Sequence, residues 1–323
     1  MIKKVKCKNR LLLIMPFFMD YQESLKKTLQ NDYIVELINS DQFDSCVINT
    51  YFKCSKIRWK LRHLFEKVLI HDAENAEISY YDDFLAQIKL ERDYYQVIFC
   101  INGAYVPDTF YALLRNNNPH ARFIYYAWDD IGNLLKQSHL IYFNERYVYN
   151  ISECKQYHAT YVPMFVQSAL SGHEAKDEYD IAYIASAHSD RKQIAYELNR
   201  RYGEKYRLFI YLYDPSNSGD QFCQDTPLNY KQYLNVMRKS KAMLDVPHPE
   251  QEGPTTRSFD ALLTKTKVIT VNPHIKEYPI YSENNMIVDR DNIVIDDAFI
   301  KKPYIETGYQ ALTISDWLKK FNL

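Results

Sequence analysis

Apolar positions along this chain fall into two series, in which short runs of branched and aromatic residues alternate with segments of helical spacing. The first run, at 10–18, is unbroken through Leu11-Leu12-Leu13-Ile14-Met15. A helix is expected at 23–29, short strands at 33–37 and 46–50, a basic helix at 53–70 and a further helix at 82–89. Residues 96–101 are again almost wholly apolar, which suits a strand buried on both faces of a parallel sheet. A helix at 108–114 and a second buried strand at 122–127 lead into Trp128-Asp129-Asp130, and the segments 140–143 and 159–162 complete the first half. Small, polar and charged residues at 167–178 read as a linker. The second series begins at Tyr179, with a strand at 181–184, a helix at 191–201, a strand at 207–211 and a helix at 229–238. It continues with an apolar strand at 242–246, a loop, a helix carrying Phe259, Leu262 and Leu263, and a β-branched strand at 268–271. Trp317, Leu318 and Phe321 share one face of a terminal helix near 315–321. Two consecutive βαβ series predict an α/β protein of two Rossmann-like, doubly wound domains facing a cleft.

Composition narrows the classes. A length of 323 residues is enough for two domains with their own cores. A net charge of −1 provides no strong field to draw the chain to nucleic acid. The longest apolar stretch near the N-terminus is too short to span a bilayer. Lys3, Lys4, Lys6 and Arg10 mimic the basic region of a signal peptide, but no small-residue cleavage site follows, so a buried first strand behind a solvated basic tail is expected. Six scattered cysteines and nine dispersed histidines give no zinc spacing, which points to reduced thiols, a cytoplasmic setting and no bound metal. With only 7 glycines there is neither a Gly-rich dinucleotide fingerprint nor a phosphate-binding Walker loop, which argues against an oxidoreductase or a P-loop ATPase. Tyrosine is abundant, at 29; such rings fill strand faces and interfaces and also stack on sugars.

Candidate chemistry concentrates between Met243 and Asn272. The loop between strand and helix carries Gly253, the hydroxyls of Thr255 and Thr256, and Arg257 at the helix N-terminus. Exposed N–H groups and the helix dipole there favour an anion such as a diphosphate. Glu252 and Asp260 flank the loop, and Asp260, about one turn into the helix, is positioned for ribose hydroxyls beside that diphosphate. A second strand-to-helix junction, His188-Ser189-Asp190-Arg191, offers Arg191 for bidentate phosphate contact and Ser189 or Asp190 as a cap. His248 sits at a strand's carboxyl end, where open α/β sheets bind ligands. It is equally readable as touching base, diphosphate or sugar, or as packing the loop.

This arrangement resembles the nucleotide-sugar site of glycosyltransferases of the GT-B fold, many of which carry two acids with seven residues between them around a Gly-containing loop. It is closer still to bacterial capsule, exopolysaccharide and lipopolysaccharide glycosyltransferases. The residues that carry the likeness are Leu244-Asp245, His248-Pro249, Gln251, Gly253, Thr255, Arg257, Lys267, Ile269-Thr270 and Asn272, followed by Tyr278, Asn285, Ile287 and Asp289-Arg290, together with His188-Ser189-Asp190-Arg191. The chain departs from the pattern at Asp260, where the family has Glu, and at Ala185 or Ser186, where a Gly is usual.

The resemblance implies an N-terminal acceptor domain at 1–166, a nucleotide-sugar-binding domain at 179–303, and a terminal helix at 304–323 crossing back to the first domain. It implies transfer of a sugar from a nucleoside-diphosphate sugar, with no other cofactor, to a glycan or lipid-linked oligosaccharide, with no nucleic-acid partner. Arg191 and Arg257 would stabilise leaving-group charge, while His188, Ser189, His248, Glu252, Gly253, Thr255, Thr256 and Asp260 would bind the nucleotide sugar. Asp20, and Asp129 with its neighbour Asp130, follow strands of the first half, where a base would take the acceptor proton in an inverting enzyme; Asp20 and Asp129 are the candidates for that role. The basic amphipathic helix at 53–70 would allow peripheral contact with the inner membrane face. Two alternatives stand beside this reading: a nucleotide-sugar epimerase, and a non-catalytic sugar-nucleotide or glycan-binding protein on a degenerate GT-B scaffold.

Overall fold

The structure is a computed structural model that describes residues 8–41, 85–134, 136–167, 178–216 and 219–323. The helix and strand expected at 53–70 and 46–50, and the first three residues of the helix expected at 82–89, lie outside the described residues. The backbone divides into two compact units. One comprises Met1–Phe18, Leu25–Ala127 and Leu134–Arg146, and the other Met19–Ser24, Trp128–Asn133 and Tyr147–Leu323.

The first unit is built on β1 (Asn9–Met15), β2 (Tyr33–Asn39), β3 (Val97–Ile101) and β4 (Arg122–Ala127). These strands are parallel in the order β2-β1-β3-β4, with Leu13 opposite both Leu37 and Phe99. Helix α1 (Tyr21–Leu29) links β1 to β2, and α2 (Asp108–Asn117) links β3 to β4. Leu11 through Met15 and Ile98 through Ile101 are fully buried. Their continuous apolar runs thus reflect burial on both faces of a parallel sheet.

The segment expected at 140–143 is not a strand. Ser138–Tyr142 forms a 3-10 helix, and the strand β5 follows at Glu145–Val148. The reason is local: His139 and Leu140 are buried side by side while Ile141 is 72% exposed, a pattern that breaks two-residue alternation. His139 Nε2 bonds the Asn102 carbonyl oxygen at 2.9 Å, and burial pushes its imidazole down to about 4. β5 pairs with β6 (Thr160–Tyr161) through Tyr147 opposite Thr160.

The second unit holds a six-stranded sheet. Its strands are β8 (Tyr179–Ser186), β9 (Leu208–Tyr213), β10 (Cys223–Gln224), β11 (Ser240–Asp245), β12 (Lys267–Thr270) and β13 (Asn285–Ile287), after the short β7 (Phe165–Val166). They are parallel in the order β10-β9-β8-β11-β12-β13, the order of a doubly wound Rossmann-like sheet. The crossovers carry α3 (Arg191–Tyr202), α4 (Tyr230–Arg238) and α5 (Thr256–Thr264), and α6 (Asp297–Lys301) follows β13. α4 starts where it does because Asn229 and Gln232 form a reciprocal capping box. The chain ends in β14 (Leu312–Thr313), which pairs with β7, and α7 (Ile314–Leu318) with a last 3-10 turn at Lys319–Phe321. Trp317 and Phe321 are fully buried; the Trp317 ring lies 4.5 Å from Phe165 and the Phe321 ring 4.7 Å from Tyr147. Among the described residues no helix is long and apolar enough to cross a membrane.

Candidate functional site

The strand order of the second sheet reverses between β8 and β11. β9 follows β8 on one side, and β11 begins the run on the other. At such a switch point the loops leaving two neighbouring strands part in opposite directions and open a crevice at their carboxyl ends. His188 and Ser189 come from the loop after β8 and Arg191 from the start of α3, while His248 and Thr255 come from the loop after β11 and Arg257 from the first turn of α5. The two stretches singled out in the sequence therefore meet at one place.

Each guanidinium ties the β8 side of the crevice to the β11 side. Arg191, which is 7% exposed, donates from Nε to the Val246 carbonyl oxygen at 3.0 Å and from Nη1 to that of Ser186 at 3.4 Å. Arg257 donates from Nε to the Ile184 carbonyl oxygen at 3.0 Å and from Nη1 to Asp245 Oδ1 at 3.1 Å. Asp245 is 1% exposed; its Oδ1 also accepts from Thr255 Oγ1 at 2.8 Å and its Oδ2 from Thr270 Oγ1 at 3.3 Å. A third guanidinium, Arg290, forks onto Asp190 with bonds of 2.7 and 2.8 Å and also reaches the Pro247 carbonyl oxygen. Three guanidiniums thus face two carboxylates, with the His188 and His248 rings 6.0 Å apart beside them. Burial and the charge of Arg257 push Arg191 down to about 10, so it remains a cation at neutrality. The local excess of positive charge fits an anion held in a partly dry crevice.

The expected caps are otherwise employed. Thr255 occupies the N-cap position of α5, but its hydroxyl goes to Asp245 and makes no cap bond. Asp190 precedes α3 likewise without a cap bond, because Arg290 takes both its oxygens. Ser189 adopts a left-handed φ of 59°, and its hydroxyl lies 3.0 Å from His188 Nδ1. Thr256 is half-buried at the first position of α5, and His248 is exposed, with its Nδ1 accepting from the Glu250 amide at 3.4 Å.

A second network fixes the loop around Gly253. Asp130, 5% exposed, accepts on Oδ1 from Tyr149 Oη at 2.5 Å and Asn150 Nδ2 at 3.0 Å, and on Oδ2 from the Glu252 amide at 2.7 Å. Asn272 Nδ2 donates to the carbonyl oxygens of Glu252 at 2.8 Å and Gly253 at 3.3 Å. Tyr278 Oη donates to Asn150 Oδ1 at 2.7 Å. Gly253 is required here for space: a Cβ would lie 2.4–2.6 Å from the Tyr149 ring and hydroxyl. The sequence pointed to Gly253 as a phosphate approach, whereas its close neighbour is an aromatic ring. Glu252 is exposed and accepts from Ser152 Oγ at 2.8 Å.

Asp260 points the other way. It is 1% exposed and accepts from Tyr230 Oη at 2.5 Å, among Tyr21, Tyr230 and Tyr233. Burial pushes its carboxyl up to about 7 against the opposing influence of Tyr230, Tyr233 and Arg257. The structure thus gives this acid a buried partner instead of the open side of the loop where ribose was expected. Asp20 is exposed at a left-handed φ of 63°, directly after Met19 at 46°. Asp129 is exposed beside the Asp130 network and adds to the charges that keep the Tyr149 hydroxyl protonated.

Sequence reasoning missed Asp130's clamp, Tyr149, Asn150 and the Asp190–Arg290 fork. Arg290 was visible within the resemblance, but no spacing rule connects it to Asp190, 100 positions away. Among the described residues no group of three or more His, Cys, Asp or Glu side chains is placed to hold a metal ion.

The fold and site define a two-unit α/β protein with a cationic crevice at the switch point of its second sheet. The chain is similar to the crystal structure of a GtfA/B complex at 9% identity and a TM-score of 0.40, over 69% of this chain and 51% of that one. It is also similar to GsuK bound to ADP, at 9% identity and a TM-score of 0.22, over 82% of this chain and 61% of that one. It therefore spans about half to three fifths of the length of those chains. No family model and no curated protein matches the sequence.

Proposed function

We propose that the chain is a glycosyltransferase that moves a sugar from a nucleoside-diphosphate sugar to a glycan or lipid-linked acceptor in bacterial surface-polysaccharide synthesis. The observation that carries this reading is the convergence of Arg191 and Arg257 at the carboxyl ends of β8 and β11, each anchored across the crevice by its Nε. In the proposed site both guanidiniums neutralise the diphosphate, where charge grows as the glycosidic bond breaks. Asp245 holds Arg257 and Thr255 in place from below. Exposed Glu252 is the acid proposed for ribose, and Asp260 serves to hold Tyr230 beneath α5. Asp20 and Asp129 are the proposed bases for the acceptor hydroxyl. Peripheral attachment at the inner membrane face through 53–70 belongs to the same proposal.

The test is a thermal-shift panel of UDP, GDP, CDP, ADP and their sugars on the wild type, Arg257→Ala and Arg257→Lys. A nucleotide at about 100 times its dissociation constant stabilises by roughly 2.7 kcal/mol. Stabilisation by one nucleotide, lost in Arg257→Ala and partly kept in Arg257→Lys, is the expected result. No response to any nucleotide removes the donor-site assignment.

One observation favours a second reading, a non-catalytic sugar-nucleotide binder. The acid that the resemblance assigns to ribose, Asp260, is buried against Tyr230. Donor turnover in the presence of acceptor separates the two.

A further inference from the structure

His188 and Arg191 stand in an unusual relation for two groups beside an anion site. Arg191 Nη1 and His188 Nε2 are 2.7 Å apart. A guanidinium has only donors and does not lose its proton near neutrality, so the imidazole nitrogen must accept. His188 is therefore neutral, with its proton on Nδ1, directed at Ser189 Oγ 3.0 Å away. Ser189's left-handed backbone holds that hydroxyl beside the ring. A protonated His188 would set one N–H against another and lose the bond.

The charges around the ring favour the neutral form. Arg191 reaches it from α3, Arg257 from α5, and His248 from the loop after β11; against them stands Asp190, whose oxygens Arg290 already holds. Partial burial and these cations push His188 below its ordinary value.

We infer that His188 is a proton-linked stand-in for the anion: it accepts from Arg191 while the site is empty, then yields that guanidinium to the ligand and takes up a proton. The inference rests on the proposed diphosphate site. A diphosphate oxygen is a stronger acceptor for Arg191 than an imidazole nitrogen. Its negative charge also reverses the local field that kept the ring neutral. The second step is a plain protonation at Nε2, with the proton supplied by solvent, and it leaves His188 as a doubly donating cation facing the ligand. Between the depressed free-state pKa and the raised bound-state one, binding then takes up about one proton and weakens as pH rises, by at most about tenfold per pH unit.

The experiment is calorimetric titration of the protein with inorganic pyrophosphate between pH 5.5 and 8, in buffers of different ionisation enthalpy. Wild type is compared with His188→Gln. Gln accepts from Arg191 but does not titrate, and pyrophosphate's own protonation is common to both proteins. Thermal unfolding confirms that the variant is folded, and the imidazole nitrogen resonances of His188 in the wild type give an independent readout. The expected result is a larger proton uptake and a steeper pH dependence in the wild type, with His188 passing from the Nδ1-H tautomer to the doubly protonated form on binding. Equal proton uptake by two proteins that both bind, with His188 neutral throughout, overturns the inference and leaves the anion site standing. Failure of both proteins to bind pyrophosphate overturns the anion site and the inference with it.

Discussion

At the scale of single residues, the site depends on side chains that hold other side chains. Gly253 is the sharpest case, because the room it leaves is filled by the Tyr149 ring. Gly253→Ala is expected to lose about 1–3 kcal/mol through overpacking, read by urea unfolding. Thr256→Ala, at the half-buried start of the same helix, serves as the control and should lose much less. An unchanged midpoint in Gly253→Ala would mean that Tyr149 can move aside. This glycine shows how a residue can be noticed in the sequence for one reason and needed for another. A Gly before a helix suits a phosphate-binding loop as readily as a close-packed one, and only the position of Tyr149, 104 residues earlier, separates the two. Arg191 and Arg257 were legible because each stands at a strand-to-helix junction, a local feature. Their joint grip on the backbone at the end of the opposite strand was not, because it joins segments more than fifty residues apart.

At the scale of elements, the helices and strands of the second sheet follow the apolar pattern closely. β11 and β12 are short runs of buried residues, and α4 opens at a capping box written in Asn229 and Gln232. The pattern says little about what ties the short last elements down. Lys267 is buried at the start of β12, and its Nζ donates to the carbonyl oxygens of Phe299, Ile300 and Lys302 at the end of α6. It caps that helix from a distance, the work that a Lys near a helix C-terminus does locally. Burial and the charge of Lys241 push Lys267 down to about 8, leaving it mostly charged at neutrality. Lys267→Met keeps the apolar stem and strips three carbonyls of their partner. A loss of about 1–3 kcal/mol is expected, with faster amide exchange confined to α6 and its flanks. Unaltered exchange in α6 would show that those carbonyls find other donors. The 3-10 turn at Ser138–Tyr142 failed the pattern for a related reason: a buried polar ring bonded to a carbonyl oxygen, not an apolar stripe, decides its course.

At the scale of the whole molecule, two buried carboxyls couple stability to pH in one direction. Asp260 and Glu153 are each pushed up to about 7, Asp260 by burial, and Glu153 by burial with added repulsion from Asp130 and Glu252. A folded-state pKa above the unfolded value means that the native chain holds the proton more tightly. The stabilisation is present below about pH 4 and is lost as pH rises to about 7, by up to about 1.4 kcal/mol per pH unit for each such group. Asp260→Asn should flatten that slope by as much as one proton when urea unfolding is compared across pH 4.5–7.5. Parallel stability curves for the two proteins would mean that Asp260 does not titrate in this range.

The doubly wound architecture, the strand-to-helix junctions and the arginines at them were determined by the sequence alone. These depend on local periodicity and on backbone groups left open at helix ends, which neighbouring residues announce. The tertiary structure decided which junctions meet, that Asp260 turns into a cluster of tyrosines, that Asp130 and Asn272 fasten the Gly253 loop, and that His188 accepts from Arg191. Those outcomes depend on strand order and on contacts between distant segments. Strand order places β11 beside β8, with two strands and two helices of sequence between them, and no spacing along the chain encodes that adjacency.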